Sequence, residues 1–204
     1  KNQITLIKKR SPEEYIDALK VTNKTIDEMN IIVSNILNIG RQEGAQLEKP
    51  VVVDVILFLK EKADNFKLLA ENENKNLYMS FEPSGFMANL QLSLLNQIIQ
   101  NFLQNALKFT NMNGSVTLKS SQDNVGLLIE VIDEGCGVDE SQDLFAPFKR
   151  QGNKSGVGLG LFLAKSAADA LGAKIEIKNR IDGVEGTVAS LQLNSKLSCV
   201  LPRK

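Results

Sequence analysis

The first strong hydrophobic pattern in the chain is a heptad seam over residues 11–40. Apolar or tolerated residues recur at alternating spacings of four and three, namely Tyr15, Leu19, Thr22, Ile26, Met29, Val33, Ile36 and Gly40. Ser11 suits an N-cap, Pro12 suits the first helical position, and Glu14 completes a capping box. The spacing predicts one long coiled-coil-type helix, which belongs either to a bundle or coiled coil or to the core surface of its own domain.

After a linker at 44–50, shorter apolar segments follow with either helical or strand periods. The patterns predict helices over 54–72, 91–108 and 159–171. They predict strands over 76–82, 116–120, 125–132, 174–179 and 187–193, with an apolar stretch at 51–53 and a further candidate strand at 197–201. Since helices and strands do not alternate regularly, we expect an α/β two-layer sandwich, a mixed β-sheet with helices on one face.

The composition is that of a folded domain without a bulk electrostatic field. Hydrophobic residues make up 43% of the chain, and 24 basic residues balance 24 acidic ones. Balanced charge disfavours a nucleic-acid partner. The spacing of Cys136 and Cys199 supports neither a zinc site nor a disulfide framework, which favours a reducing compartment. The chain has no apolar run long enough to span a bilayer, and because it opens at Lys1 in mid-pattern we expect a piece of a longer protein.

Histidine is absent from all 204 residues. Nucleophilic catalysis by Ser-His-Asp or Cys-His groups within this chain is therefore excluded. Histidine ligands to a metal are excluded for the same reason.

Polar side chains interrupt the apolar helix 91–108 on one face. Asn101 and Asn105 are one helical turn apart, and Lys108 follows three residues later, so the three share a face. Carboxamide oxygens suit Mg²⁺, which keeps some waters and bridges phosphates, and a lysine neutralises phosphate charge. Alone, the segment is better explained as a helix with one solvated polar face.

Two further segments lie in the loop-rich region 133–158. The run DEGCGV at 133–138 places a carboxylate at a strand end before two glycines, which lets backbone approach a ligand closely. A tight turn is the alternative. The run LFAPFKR at 144–150 holds two phenylalanines that can fix a mobile segment to the core, although ordinary loop packing explains them equally well.

The run GVGLGL at 156–161 opens the predicted helix 159–171. Free amides at a helix N-terminus, approached through glycines, form an anion site suited to phosphate. The spacing matches neither GxGxxG after a strand nor GxxxxGK[ST], so Rossmann and P-loop interpretations are weak. Alone, this run is as well explained by a glycine-rich turn.

Together and in this order, the four segments resemble the nucleotide-binding boxes of the ATPase superfamily shared by histidine kinases, type II topoisomerases, MutL mismatch-repair proteins and heat-shock chaperone ATPases. They look like its asparagine box, first glycine box, phenylalanine box and second glycine box. Gly186 and Thr187 resemble the small closing glycine motif. The resemblance covers residues 50–193.

The sensor histidine kinase branch fits best within this superfamily. The run NALKFT at 105–110 looks like its usual asparagine box, and helix 11–40 resembles the second helix of its dimerisation domain. Hydrolytic relatives usually place a glutamate one turn before the metal asparagine, as a base for water. Asn101 stands there instead, and a neutral amide cannot take a proton from water at neutral pH. We expect a partial dimerisation segment without acceptor histidine over 1–46, and an ATP-binding catalytic domain over 47–204.

The resemblance implies ATP and Mg²⁺ as cofactors and assigns a role to each motif. Asn105 would ligate Mg²⁺, Asn101 would assist at the metal or phosphates, and Asp133 would accept a hydrogen bond from the adenine amino group. Lys108 and Arg150 would contact phosphates. The other residues implied at the nucleotide are Gly135, Gly137, Phe148, Gly156, Gly158, Gly160, Leu161 and Thr187. Of these, Gly137 would let the ring approach.

The implied reaction is transfer of the ATP γ-phosphoryl group to a histidine carried by another segment or chain. The implied partners are the phosphoacceptor histidine helix of the full-length protein, a response regulator and a second copy in a homodimer. The resemblance also implies a cytoplasmic domain, in a parent that such families often anchor to the inner membrane. The stretch 148–156 is short, which predicts a small ATP lid.

Two alternatives stay open at this point. One is a degenerate nucleotide-binding or dimerisation module that regulates a partner kinase, against which the intact boxes argue. The other is a serine-kinase relative of the anti-sigma-factor type, against which the long heptad helix argues.

Overall fold

The structure is a computed structural model, and it describes residues 15, 48–149 and 158–198. The chain divides into two compact units, Lys1–Leu47 and Glu48–Lys204. The elements described below belong to the second unit. Apart from Tyr15, which is helical, the predicted helix 11–40 lies outside the described residues. The assignment of 1–46 to a dimerisation segment stays a prediction.

Strands and helices follow one another in an irregular order along the described part of the chain. They are β1 (Val51–Asp54), α1 (Val55–Asn72), β2 (Asn76–Phe81), β3 (Met87–Leu90), α2 (Leu92–Phe109), β4 (Ser115–Gln122), β5 (Gly126–Asp133), α3 (Gly160–Leu171), β6 (Lys174–Asn179) and β7 (Thr187–Asn194). One turn of 3₁₀ helix, Ser195–Leu197, follows β7. Across these described ranges, no helix has both the length and the apolar character needed to cross a lipid bilayer.

The main sheet has five strands in the order β2-β4-β5-β7-β6. Strand β2 runs parallel to β4, and all other neighbours are antiparallel. A separate antiparallel pair is formed by β1 and β3. The helices α1, α2 and α3 contact β2, β5 and β6, respectively. The predicted α/β sandwich with a mixed sheet is therefore confirmed.

The inner face of the sheet follows the period of two that strands impose on their side chains. Alternate residues of the central strands are buried, among them Val116, Leu118, Leu127, Ile129, Val131, Leu191 and Leu193. Each such side chain contributes about 1.5–3 kcal/mol when it leaves water. The opposite face is polar in part and carries the ion pair Lys119–Glu130, with 3.1 Å between Nζ and Oε2.

Helix α2 is held in one orientation by its apolar side. Its buried residues recur at spacings of three and four and include Leu95, Ile98, Ile99, Phe102, Leu103 and Ala106. Phe102 is only 1% exposed. Because this side is packed into the core, the half-buried face with Asn101 and Asn105 has a fixed direction.

Two details of the fold differ from the predicted elements. Strand β3 was not predicted because its four residues are too few to show a period, and it forms through pairing with β1. At the far end, the candidate strand 197–201 is not formed where it is described. Leu197 ends the 3₁₀ turn, and Ser198 makes only an isolated antiparallel bridge to Ala88. Residues 199–201 lie outside the described part.

Asp54 connects the small β1–β3 pair to α1. Its side chain accepts hydrogen bonds from the backbone amides of Ile56 at 3.0 Å and Leu57 at 3.4 Å, which caps the helix. The same Oδ1 atom accepts from the Phe86 amide at 3.2 Å. The loop before β3 is thereby fixed to the start of α1.

Candidate functional site

Asp133 ends β5, and its side chain is buried and held by backbone amides. It is only 7% exposed. Its Oδ1 atom accepts hydrogen bonds from the backbone amides of Gly135 at 2.8 Å and Thr187 at 3.1 Å. These donors come from the turn after β5 and from the first residue of β7, so two elements fix the direction of one carboxylate.

The surroundings of Asp133 shift its pKa in opposite directions. Burial raises the pKa of Asp133 above the ordinary carboxyl value, because a desolvated carboxylate is less stable. The hydrogen bonds from Gly135 and Thr187 lower the pKa in part, and so does the positive charge of Arg180. A buried carboxylate with such specific partners is a candidate for ligand recognition.

The glycines after Asp133 allow three segments to close around it. A Cβ atom on Gly135 would lie 2.8 Å from Asp133 Oδ1 and 3.1 Å from the carbonyl oxygen of Phe109, the last residue of α2. Gly137 has a φ of +69°, and a Cβ atom there would lie 2.5 Å from Asn179 Oδ1. We predicted that Gly137 makes room for an adenine ring. The Asn179 amide occupies the position that a Cβ atom would take, and the approach of an adenine ring to Gly137 stays a prediction.

A second cluster forms where α3 begins against the middle of α2. A Cβ atom on Gly160 would lie 2.7 Å from Asn101 Oδ1 and 3.9 Å from Asn105 Nδ2. Asn101 donates from Nδ2 to the Gln97 carbonyl oxygen at 2.7 Å, within its own helix. This bond turns the amide oxygen of Asn101 toward α3. The fold thus brings the predicted segment 101–110 together with the described part of the second, residues 158–161.

The first turn of α3 has two features that suit an anion. Leu159, at its N-cap position, makes no side-chain capping bond, and the first turn contains no acidic residue. The first amides of a helix have no partner within the helix and carry partial positive charge, which favours an anion. Leu161 is half-buried and packs its side chain against the core. Any contact of Leu161 with a ligand would therefore come from its backbone.

Phe148 and Gly158 meet at the two ends of the loop between them. The Phe148 amide donates to the Gly158 carbonyl oxygen at 2.9 Å. Gly158 has a φ of +75°, and a Cβ atom there would collide with the Lys149 carbonyl oxygen. Phe148 itself has a φ of +63° and is 68% exposed, whereas Phe145 packs against the core. Only one of the two predicted phenylalanine anchors is therefore packed. Arg150 and Gly156 lie in the interval 150–157, outside the described residues.

Lys108 is half-buried on α2, one turn beyond Asn105. Its Nζ atom lies 5.0 Å from the centroid of the Phe109 ring, within the range of a cation–π contact. Phe109 in turn reaches the glycine turn after Asp133 through its carbonyl group. The proximity of Lys108 to a phosphate stays a prediction.

The chemistry of Asn105 fits a magnesium ion that is bound jointly with phosphates. A carboxamide oxygen is a neutral ligand of the kind that Mg²⁺ accepts, while waters and phosphate oxygens fill its other positions. In the described ranges, no three or more histidine, cysteine, aspartate or glutamate side chains are grouped so that they could hold a metal ion.

Two residues that sequence reasoning missed complete the surroundings of Asp133. Asn179 ends β6 and pairs with Thr187 of β7. Arg180 donates from Nη1 to the Asp133 carbonyl oxygen at 3.3 Å and holds Asp182 through two hydrogen bonds. Neither residue belongs to a recognisable motif, because their importance follows from the register between β6 and β7.

Comparison with known proteins agrees with this geometry. The family model described as histidine kinase-, DNA gyrase B- and HSP90-like ATPase matches residues 91–197, more than half of the chain. The chain therefore belongs to this ATPase family. Within the family, the chain carries the ATP-binding catalytic module of a two-component sensor histidine kinase, as the order of the four motifs predicted.

The relatives are sensor kinases that are much longer than this chain. The sensor protein kinase PilS of Pseudomonas aeruginosa is 30% identical over 162 residues, which cover 76% of this chain and 30% of PilS. The alginate biosynthesis sensor protein KinB of the same species is 27% identical over 170 residues, covering 80% of this chain and 28% of KinB. Among solved structures, full-length ShkA superimposes with a TM-score of 0.75 at 22% identity, covering 96% of this chain and 40% of ShkA. The chain thus spans less than a third of the length of these two curated relatives.

Proposed function

We propose that this domain binds ATP with Mg²⁺ and transfers the γ-phosphoryl group to a histidine that is not among its own residues. The observation that carries the proposal is the approach of Gly160 to Asn101 and Asn105, at 2.7 Å and 3.9 Å from its Cβ position. It places the two carboxamides of α2 beside the first turn of α3, which has no side-chain cap. Family membership supports the proposal, and ShkA was solved in complex with AMPPNP.

The adenine would be recognised by the carboxylate of Asp133. One oxygen is held by the amides of Gly135 and Thr187, which leaves the carboxylate pre-oriented before a ligand arrives. An ionised carboxylate accepts a hydrogen bond from the 6-amino group of adenine. A purine with a 6-oxo group would place an acceptor opposite the carboxylate, which is also an acceptor. The buried carboxylate would then lack a hydrogen-bond donor, and the affinity for that purine would be lower. The site should therefore prefer adenine nucleotides.

The phosphates would lie between α2 and the start of α3. Asn105 would hold Mg²⁺, which supplies charge neutralisation on the phosphate oxygens when bound, and Asn101 would assist from one turn away. The α3 amides that follow Gly158 would bind phosphate oxygens. Lys108 and Arg150 would add positive charge to the same group.

The reaction would rely on alignment and charge neutralisation. An imidazole nitrogen carries its own lone pair, so attack on the γ-phosphorus and departure of ADP need no strong base on this domain. This agrees with an asparagine at position 101, since an amide cannot activate water. The acceptor would be a histidine helix of the full-length protein, working in a homodimer and passing the phosphoryl group to a response regulator. ATP supply argues for a cytoplasmic position of the domain.

The test measures phosphoryl transfer to the acceptor and then the stability of the labelled product in acid and in base. The chain is incubated with γ-labelled ATP, Mg²⁺ and a helical hairpin of the parent protein that contains the acceptor histidine. We expect label on the hairpin that is lost in acid and retained in base, as for a phosphoramidate. Acid-stable label would instead indicate a serine kinase, and a chain that binds no ATP would indicate a degenerate regulatory module.

A further inference from the structure

The side chain of Asn179 makes hydrogen bonds to both the backbone amide and the backbone carbonyl group of Val138, in the glycine turn beside Asp133. Its Oδ1 atom accepts from the Val138 amide at 2.7 Å, and its Nδ2 donates to the Val138 carbonyl oxygen at 2.9 Å. The backbone amide of Asn179 donates to Glu140 Oε1 at 2.7 Å. A strand end is thereby fastened to the loop that follows Gly137.

This contact depends on the glycine at position 137. A Cβ atom there would lie 2.5 Å from Asn179 Oδ1, and the φ of +69° is unfavourable for other residues. The Asn179 amide can therefore pack this closely against the turn only because residue 137 is a glycine. The amide makes bonds to the turn that a ligand-facing glycine alone would not require.

Arg180 fastens the other side of Asp133. Its backbone amide donates to the Gly186 carbonyl oxygen at 3.0 Å, and its Nη1 donates to the Asp133 carbonyl oxygen at 3.3 Å. A Cβ atom on Gly186 would collide with that same Asp133 oxygen. Asn179 and Arg180 thus follow each other in sequence and hold the two segments that flank the carboxylate.

The register of the sheet links both contacts to base recognition. Asn179 pairs directly with Thr187, whose amide donates to Asp133 Oδ1 at 3.1 Å. The second donor to that oxygen, the Gly135 amide, lies in the turn held by Asn179. A shift of Asn179 would therefore be transmitted to both hydrogen bonds that orient the carboxylate.

We propose that Asn179 is a positioning residue for adenine recognition: by holding Val138 through its amide, it fixes the glycine turn 135–138 against Asp133 and sets selectivity for a 6-amino purine. Arg180 supports the same geometry from the other side. The inference rests on the proposed function, because it assumes that adenine lies at Asp133. Asn179 itself need not touch the nucleotide.

The test is a calorimetric titration of the chain with ATP and, separately, with inosine triphosphate, both with Mg²⁺. Asn179→Ala removes both bonds to Val138, and we expect ATP affinity to fall on the order of 10- to 100-fold, as for other misplaced binding groups. Inosine triphosphate should lose much less, so the preference for ATP should shrink. Asn179→Asp keeps the acceptor and removes the donor, and should change both quantities in the same direction.

The readout separates positioning from a general loss of structure. A merely structural role would lower the fraction of binding-competent chain, seen as a reduced stoichiometry, without changing the ratio of the two affinities. Asn194→Ala is the matched control, since Asn194 also ends a strand, is exposed, and makes no side-chain capping bond to the following turn. It should leave the ratio unchanged. If Asn179→Ala does not fold, Asn179→Asp carries the test.

Two failures can be told apart. An unsubstituted chain that does not prefer ATP over inosine triphosphate would refute the proposed placement of adenine at Asp133. An unsubstituted chain that does prefer ATP, with a preference that survives in both Asn179 variants, would refute only the role of Asn179.

Discussion

The two ends of the candidate nucleotide site are built in different ways. At the adenine end, Asp133 is buried and receives backbone hydrogen bonds from Gly135 and Thr187. At the phosphate end, side-chain amides of α2 lie against the uncapped start of α3, and Phe148 beside it is 68% exposed. The adenine end is fixed by the backbone hydrogen bonds of the fold itself. The phosphate end instead offers polar groups that a charged ligand would bring into position.

This difference separates the jobs that each end can perform. A pre-oriented, desolvated acceptor gives selectivity, because the wrong base leaves it unpaired. Side-chain amides and helix amides directed at phosphate oxygens act on the charge that develops during transfer. Substitutions at the adenine end should therefore change affinity and base preference, and substitutions at the phosphate end should change metal dependence and rate.

The largest effect is expected from Asn105→Ala. Loss of the proposed metal ligand should reduce phosphoryl transfer at saturating ATP by about 10²–10³-fold, comparable to removal of one transition-state donor in other enzymes. The rate should be measured across a magnesium series with the acceptor hairpin. Gln104→Ala is the control, because Gln104 is an exposed amide on the same helix. An equal decrease of the transfer rate in both variants would contradict the assignment of Asn105 as a metal ligand.

Asp133→Asn should have the next largest effect and should separate affinity from stability. The amide keeps an acceptor for Gly135 and Thr187 but replaces the charged acceptor, so ATP affinity should fall by about 10- to 100-fold. Burial raises the pKa of Asp133, so the ionised form reduces stability at neutral pH. The melting temperature at pH 7 should therefore stay level or rise. A variant that loses binding only because it unfolds would contradict this account.

Gly160→Ala tests the contact between α2 and α3. The added Cβ atom would fall 2.7 Å from Asn101 Oδ1 and force that amide to move. We expect ATP affinity to decrease by about 5- to 10-fold, in line with the cost of overpacking. Adenosine, which lacks phosphates, serves as the internal control and should bind as before. An equal loss for adenosine and ATP would mean that the two ends are not separable.

The smallest effect is expected from pH, measured on the adenine end with adenosine. Because its pKa is raised, Asp133 becomes protonated at a higher pH than an ordinary carboxyl group. Adenosine affinity should decrease severalfold as the pH falls through that pKa. The contribution of Asp133 to the free energy of unfolding has the opposite pH dependence. It is fully present below the ordinary carboxyl pKa of 3.8 and is lost as the pH rises through the raised pKa. Asp133→Asn should remove this component of both profiles.

The sequence predicted the parts of this site that depend on local periodicity. Helix α2 was predicted from its apolar spacing, and that spacing also placed Asn101 and Asn105 on one face, as the structure has them. The turn that follows Asp133 was predicted from a carboxylate at a strand end before two glycines, and the family resemblance implied its role at a nucleotide. In each case the signal lies within a few consecutive residues.

The parts that were missed depend on contacts between distant segments. Asn179 binds Val138 across 41 positions of sequence, and only the β6–β7 register brings it there. The four-residue strand β3 exists because β1 pairs with it. The contact between Gly137 and Asn179 Oδ1 was likewise not predictable from the glycine spacing alone, because it joins two distant segments.

The most direct test of the account is a calorimetric titration of the unsubstituted chain and of Asp133→Asn with ATP and with inosine triphosphate. We predict that the unsubstituted chain binds ATP clearly more tightly than inosine triphosphate, and that this preference disappears in Asp133→Asn. Equal binding of both nucleotides by the unsubstituted chain, or a preference that persists without the Asp133 carboxylate, would contradict the placement of adenine at Asp133.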